Sequence, residues 1–218
     1  MLWNWDFAFS ILPQILAALR ITISATAVGF VLAMALGLLF TLLVRSKIGA
    51  IAMLSRGFMQ FIRNTPLLVQ LYFIFYVFPT FGLSLEPFSA GVIGLGVHYS
   101  TYLSEVFRSG IDAIPKGQWE ASKALNFGKV QTWGKIILPQ AVPPIIPVIG
   151  NYFITMFKET PLLSAITLLE IMQTAKVIGA STFRYFESFT IVGILFLLLS
   201  YSSSKLIRHL EVKLNTGH

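Results

Sequence analysis

Apolar residues in this chain fall in five long blocks, parted by shorter polar stretches. A helix needs about 20 mainly apolar residues to cross the hydrocarbon of a bilayer. Blocks of that length run from about 21 to 44, 58 to 78, 88 to 107, 136 to 157 and 189 to 207. The pattern predicts an all-α integral membrane protein with five transmembrane helices. The stretch from 158 to 186 is amphipathic and too polar to face lipid. It predicts short helices packed against the bundle or lining a cavity.

Composition agrees. Only 11% of the 218 residues are charged and 56% are hydrophobic, where soluble domains carry about one quarter charged residues. That leaves too little polar surface for a soluble fold. The net charge of +7 would suit nucleic acid or cytoplasmic membrane loops, and its distribution selects the loops. Arg45, Lys47, Arg56 and Arg63 flank the first loop; Arg108, Lys116, Lys123, Lys129 and Lys135 flank the third; Lys205, Arg208 and Lys213 follow the last block. Only Arg20, Lys158, Lys176 and Arg184 fall on the other side. The positive-inside rule then predicts an outer N-terminus and a cytoplasmic C-terminus. The first nineteen residues hold no Lys or Arg but carry Trp3, Trp5 and Asp6. They do not read as a secretory signal, and the tryptophans suit a headgroup layer. With no cysteine, disulfides and thiolate metal sites are excluded.

Local patterns add detail. The fourth block holds Pro139, Pro143, Pro144 and Pro147; proline beyond a helix's first turn kinks it and frees carbonyls that neighbouring protein must satisfy. The first block spaces Ala25, Gly29, Ala33 and Gly37 four apart, a face that admits close helix contact within the bundle or between subunits. Thr-Pro-Leu-Leu occurs at 65–68 and at 160–163, too short a repeat to imply duplication.

The third polar loop, 115–135, is the most informative. Residues 118 to 125 are good helix formers, and Asn126 and Gly128 both tolerate left-handed backbone angles. A short helix, a turn and a lead-in to the fourth block are predicted. Four lysines keep this loop in water, yet Trp119, Ala121, Ala124, Leu125 and Phe127 offer apolar contact area. A bare aqueous loop needs none; a protein partner does.

Here the chain resembles the permease subunits of ABC importers. That family carries Glu-Ala-Ala, then a glycine, then Ile-x-Leu-Pro; this chain has Glu120-Ala121-Ser122 and Ile136-Ile137-Leu138-Pro139 at the matching separation. The 63–70 stretch Arg-Asn-Thr-Pro-Leu-Leu-Val-Gln, residues 102–110, Phe157-Lys158-Glu159 and Arg184-Tyr185-Phe186-Glu187 are similar to the polar amino-acid branch, the histidine/glutamine permease type. Trp3-Asn4-Trp5-Asp6-Phe7 and Ile11-Leu12-Pro13 resemble permeases for the compatible solutes ectoine and hydroxyectoine. Two departures stand out: Ser122 replaces an alanine, and Asn126 stands where the family has glycine.

The resemblance implies a type I ABC importer permease fold, one transmembrane domain over residues 1–218 in a bacterial inner membrane. It implies that Glu120, Ala121, Ser122, Asn126, Gly128, Leu138 and Pro139 form the coupling element on which the ATPase docks. It also implies the partners: a second permease subunit, identical or homologous, two cytoplasmic ATP-binding subunits that hold the ATP and magnesium, and an extracytoplasmic solute-binding protein. Transport would proceed by alternating access.

Ionisable groups inside a bundle are costly and mark functional sites by default. His98, Tyr102 and Glu105 fall at i, i+4 and i+7, on one helix face. With Thr65, Lys158 and Glu159 they are the candidate substrate pathway, since the resemblance implies that such positions surround the substrate. A zwitterion needs an acid for its cation and a base for its carboxylate, and Glu105 and Lys158 would supply these. Structural ion pairs, Glu105 with Arg108 or Lys158 with Glu187, are the competing reading. His98, Tyr102 and Glu105 lack the spacing of metal ligands. The phosphate-binding Gly-x-x-x-x-Gly-Lys-Ser/Thr loop is absent, so ATP hydrolysis is expected in a partner, and no hydrolase triad is visible. An ion-coupled secondary transporter is the alternative, against which the lack of an internal repeat argues.

Overall fold

A computed structural model describes residues 3–215, with side chains through 213. The described residues are helical and joined by short turns. We label them α1 (Trp5–Val44), α2 (Gly49–Asn64), α3 (Leu67–Phe81), α4 (Pro87–Asp112), α5 (Lys116–Ala124), α6 (Lys129–Ile166), α7 (Ile171–Thr182) and α8 (Tyr185–Asn215).

Three helices, α1, α6 and α8, are long and apolar enough to cross a membrane, and α2 with α3 would make a fourth span broken by a 103° bend. This departs from five plain spans in three places. The first block belongs to a 40-residue helix that starts at Trp5, well before residue 21. At 1.5 Å per residue such a helix is about 60 Å long, twice the hydrocarbon thickness. The second block, 58 to 78, is not one helix. Proline disfavours helical angles in the residue before it, and Thr65, before Pro66, sits at φ −106, ψ 134. The chain therefore turns there, and Phe58 to Asn64 belong to the amphipathic α2. The third block is the 26-residue α4. It is long enough to span, yet Gly91, Gly94, Gly96, His98, Ser100, Thr101 and Ser104 dilute its apolarity.

That dilution has a cause. α4 is wrapped by protein, so it needs small side chains more than greasy ones. Ala25, Gly29, Ala33 and Gly37 of α1 are all buried. A Cβ at Gly37 would lie 3.1 Å from both the Leu103 Cβ and the Ser100 carbonyl oxygen of α4. The stripe of small residues is thus used for packing within the chain. Lipid tails are as apolar as leucine, so close van der Waals contact, not water exclusion, holds such helices together. Leu95 and Leu103 of α4 pack in one core with Leu71, Met156, Leu163 and Ile166. Thr41 at the end of α1 gives its hydroxyl to the Ser104 carbonyl of α4 at 3.1 Å.

The prolines reshape helices without ending them. Proline has no N–H for the i→i−4 ladder. Before Pro79 and before Pro139 the ladder widens into π turns, Phe73–Val77 and Thr132–Ile137. Pro143–Ile145 tightens into a 3-10 turn, and α6 continues through it.

Between α6 and α8 the predicted packed short helix is present. α7 buries Ile171, Ala175 and Ile178 with Ile15 of α1 and Val192 of α8. Buried Glu170 caps it, accepting the Met172 and Gln173 N–H groups at 3.0 and 2.7 Å. At the other end of this layer Glu187 accepts the Asn4 backbone N–H at 3.1 Å and pairs with Arg184. Glu187 therefore ties the start of α1 to the start of α8; the alternative pairing with Lys158 is not formed.

Candidate functional site: a polar face on the central helix and an apolar turn beside it

His98, Tyr99 and Glu105 of α4 meet residues at or near two helix breaks. At the first break Thr65 gives its hydroxyl to the Ile62 carbonyl at 3.0 Å and accepts the Gln70 amide at 2.8 Å. The same amide nitrogen reaches the Ile62 and Thr65 carbonyls. Gln70, held in this way, presents its oxygen to His98 Nδ1 at 3.2 Å. Thr65 thus stops one helix and orients the partner of a buried histidine.

At the second break α6 leaves its α-helical course at Glu159, just before Thr160-Pro161. Tyr99 gives its hydroxyl to Glu159 Oε2 at 2.7 Å. Lys158, one residue earlier, is turned about 100° away by helix geometry. It is exposed, and its side chain makes no hydrogen bond or ion pair among the described residues. It makes no contact with Glu105.

Glu105 is already neutralised. It accepts Arg63 Nη1 at 3.2 Å from α2 and Arg108 Nε at 2.9 Å from its own helix. The ion pair with Arg108, the structural alternative weighed above, is present, and Arg63 adds a second. An open cavity of about 390 Å³ lies over this cluster, lined by Arg63, Tyr102, Glu105, Arg108, Ser109 and Tyr152. Tyr99, Tyr102 and Tyr152 form an aromatic wall with ring centroids 5.9 to 6.3 Å apart. His98 leans on Tyr102 at 5.3 Å. An acid, a tyrosine wall and a basic cluster are thus strung along one face.

Sequence reading missed Arg63, Gln70, Tyr99 and Tyr152 as members of this face. Arg63 and Gln70 lie inside the 63–70 stretch, but Arg63 was counted only toward orientation. No period could place them, because the bend at Thr65 separates their helices. Tyr152 lies seven residues before Glu159, two helical turns away on the same side.

The second candidate region is the turn between α5 and α6. Asn126 takes φ +56, the left-handed region. Its N–H donates to the Lys123 carbonyl and the Phe127 N–H to the Ser122 carbonyl, both at 2.9 Å. This is a Schellman ending, the usual place for glycine. Asparagine fills it at a tolerable cost. Gly128 does not share the strain expected of it: its φ is −66, and its N–H donates to the Gln131 side chain at 3.2 Å. Ser122 is buried and bonds back to the Gln118 carbonyl at 2.7 Å. Gln118 in turn meets Gln140 of α6 at 3.3 Å. Trp119 faces inward, edge-on to Trp133 at 5.3 Å, so it leaves the set of outward apolar residues.

Several apolar side chains remain outward. Ala121, Ala124, Leu125 and Phe127 are exposed, and Val130, not singled out from sequence, is 87% exposed. Glu120 stands among them, also exposed, and Leu138 and Pro139, just past the π turn of α6, are exposed as well.

Comparison with known proteins identifies the family. Residues 29–216 match the family of binding-protein-dependent transport system inner membrane components. The chain is 41% identical to the probable amino-acid ABC transporter permease protein y4tG of Sinorhizobium fredii, over 97% of this chain and 95% of that one. It is 36% identical to the L-cystine transport system permease protein TcyB of Bacillus subtilis, over 95% and 91%. A crystal structure of an amino acid ABC transporter with histidines superposes with a TM-score of 0.91 at 31% identity, covering 98% of this chain and 100% of that one. The chain belongs to the family of binding-protein-dependent transport system inner membrane components, the membrane permease subunits of ABC importers, whose ATPase is a separate chain.

Proposed function

We propose that this permease carries an amino acid, or an amino-acid-like zwitterion, along the polar face of α4. The observation that carries the reading is the order of groups on that face. Glu159 with Tyr99 can take a substrate cation. Arg63, shared with Glu105, can take a carboxylate. Tyr102 and Tyr152 supply an aromatic wall between them. Buried polar groups cost several kcal/mol apiece unless partnered, and here the partners are ones a substrate can replace. Arg63 takes the role first assigned to Lys158. The named relatives are a probable amino-acid ABC transporter permease and an L-cystine transport system permease, which supports this class. Ectoine has the same chemistry, a carboxylate and a delocalised cation, and belongs in the same trial.

Four further statements complete the proposal. The energy comes from an ATPase docked on Glu120, Ala121, Leu125, Phe127 and Val130. Two permease subunits, two ATPases and an outer solute-binding protein form the working assembly. The chain lies in the inner membrane with its N-terminus outside and its C-terminus in the cytoplasm. α4 completes five spans despite its modest apolarity, because protein surrounds it.

Reconstitution into liposomes with its ATPase and binding protein tests this. Uptake of glutamine, arginine, cystine and ectoine is measured with and without ATP. Uptake of at least one that stops on ATP depletion or vanadate treatment is expected. Uptake that continues unchanged would favour an ion-coupled carrier and sink the proposal.

A further inference from the structure

The charges at the end of α4 form one connected chain, of which substrate recognition uses only the first link. Arg63 of α2 holds Glu105 at 3.2 Å, and Glu105 holds Arg108. Arg108 Nη1 reaches Asp112 Oδ2 at 3.4 Å, and Asp112 Oδ1 receives Nη1 of Arg45, the C-terminal cap of α1, at 2.6 Å. Five side chains from three helices alternate in sign. Glu105, Arg108 and Asp112 fall at i, i+3 and i+7, so they share one face over roughly 10 Å. Its upper end is in the cavity under Tyr102. Its lower end is the last residue of α4, and α5 begins at Lys116, four residues on.

These side chains are 30 to 46% exposed. Pairs so exposed contribute little to folding stability. α1 and α4 are already locked together without them, by Gly37 against Ser100 and by Thr41 against Ser104. Arg45 closes α1 one turn beyond that lock, which makes it a fixed post. Asp112 hangs between this post and the turn into α5.

We propose that Arg45 and Asp112 are positioning residues for transport: they hold Arg108, and through it Glu105, so that a displacement of α5 changes how tightly Glu105 keeps Arg63. When Asp112 is drawn away with α5, Arg108 is released to Glu105 alone. Glu105 then gives up Arg63 to the substrate carboxylate. The inference rests on the proposed docking of the ATPase at α5.

The test uses the reconstituted complex and reads substrate taken up per ATP hydrolysed. Asp112→Asn and Arg45→Gln should leave assembly and ATP hydrolysis in place. Uptake per ATP should fall about tenfold, the scale on which residues of a coupling network act. Asp112→Glu and Arg45→Lys should restore roughly half of it or more, because they keep the charge. The double variant should be no worse than the poorer single one, since both break one link. A merely structural role would lower assembly and leave the ratio alone. Unchanged uptake per ATP in Asp112→Asn overturns the relay, as does failure of Asp112→Glu to recover. A Glu120→Cys crosslink to the ATPase separates the two readings. If no crosslink forms, the docking reading fails and the relay with it. If it forms while Asp112→Asn stays fully coupled, only the relay fails.

Discussion

The polar face of α4 and the turn after α5 are opposite inversions of their surroundings. On α4, charged and hydroxyl groups lie inside a bundle whose outer faces are apolar. Three of them are partnered: His98 by Gln70, Tyr99 by Glu159, Glu105 by two arginines. At the turn, Leu125, Phe127 and Val130 point out of the fold in the chain's most lysine-rich loop, and the described residues leave them uncovered. Polar groups kept inside with exchangeable partners suit a polar cargo. Apolar groups held outside by a rigid turn suit a protein partner. The difference lies in what is missing: the first region lacks only a competitor for its hydrogen bonds, the second lacks a covering surface.

The strongest way to break the comparison is to remove the acid from the polar face. Glu159→Gln keeps the shape but loses the charge offered to a substrate cation. Uptake should fall about 30-fold or more, equivalent to about 2 kcal/mol at a desolvated charge contact, while the subunit still assembles. Uptake within twofold of the parent would remove Glu159 from the site. Next comes the apolar turn. Leu125→Glu with Phe127→Glu should weaken ATPase binding about tenfold, the usual scale for a few interface anchors, measured by titrating the ATPase onto the permease. Undiminished binding would place the partner elsewhere.

The backbone under that turn sharpens the point more gently. Asn126→Gly should hold or raise thermal stability, and Asn126→Val should lower it by about 1–2 kcal/mol, the cost of left-handed angles with a side chain. Equal stability of the two would mean that the turn is not held at φ +56.

A third carboxylate supplies a control outside both regions, with the smallest effect on uptake. Burial pushes the Glu170 carboxyl up to about 7, opposed by the Met172 and Gln173 N–H groups and by Lys176. Its proton is therefore bound more tightly in the fold than in the unfolded chain. That contribution to stability is full below about pH 4.5 and is lost as pH rises through about 7. The melting temperature should fall between pH 5 and 8, and Glu170→Gln should flatten that fall. A variant with the parent's pH profile would show that Glu170 is not the group responsible.

How much of this was legible in the sequence follows from what each signal measures. Apolar block length marked the membrane class and the sites of α1, α6 and α8. It mislocated the second span, because a hydropathy window does not register that Pro66 forces Thr65 out of the helix. It also could not say that α4 is the hub, since being wrapped by α1 depends on Gly29, Gly37 and their partners together. The α5 turn was readable because capping chemistry is local, and Asn126 adopts the angles its side chain tolerates. The polar face was readable only on α4 itself. Helical spacing put His98, Tyr102 and Glu105 together, but their partners Gln70, Arg63 and Tyr152 come from other elements and obey no period. Lys158 reads from sequence as a base near the end of a span, and one step of helix rotation turns it away from Glu159.

The most direct measurement is the structure of the assembled importer with substrate bound. Substrate should lie against Tyr102 and Tyr152, its cation on Glu159 and its carboxylate on Arg63, with the ATPase covering Leu125, Phe127 and Val130. Substrate seated elsewhere, with the Tyr99–Glu159 and Arg63–Glu105 contacts intact, would contradict the account.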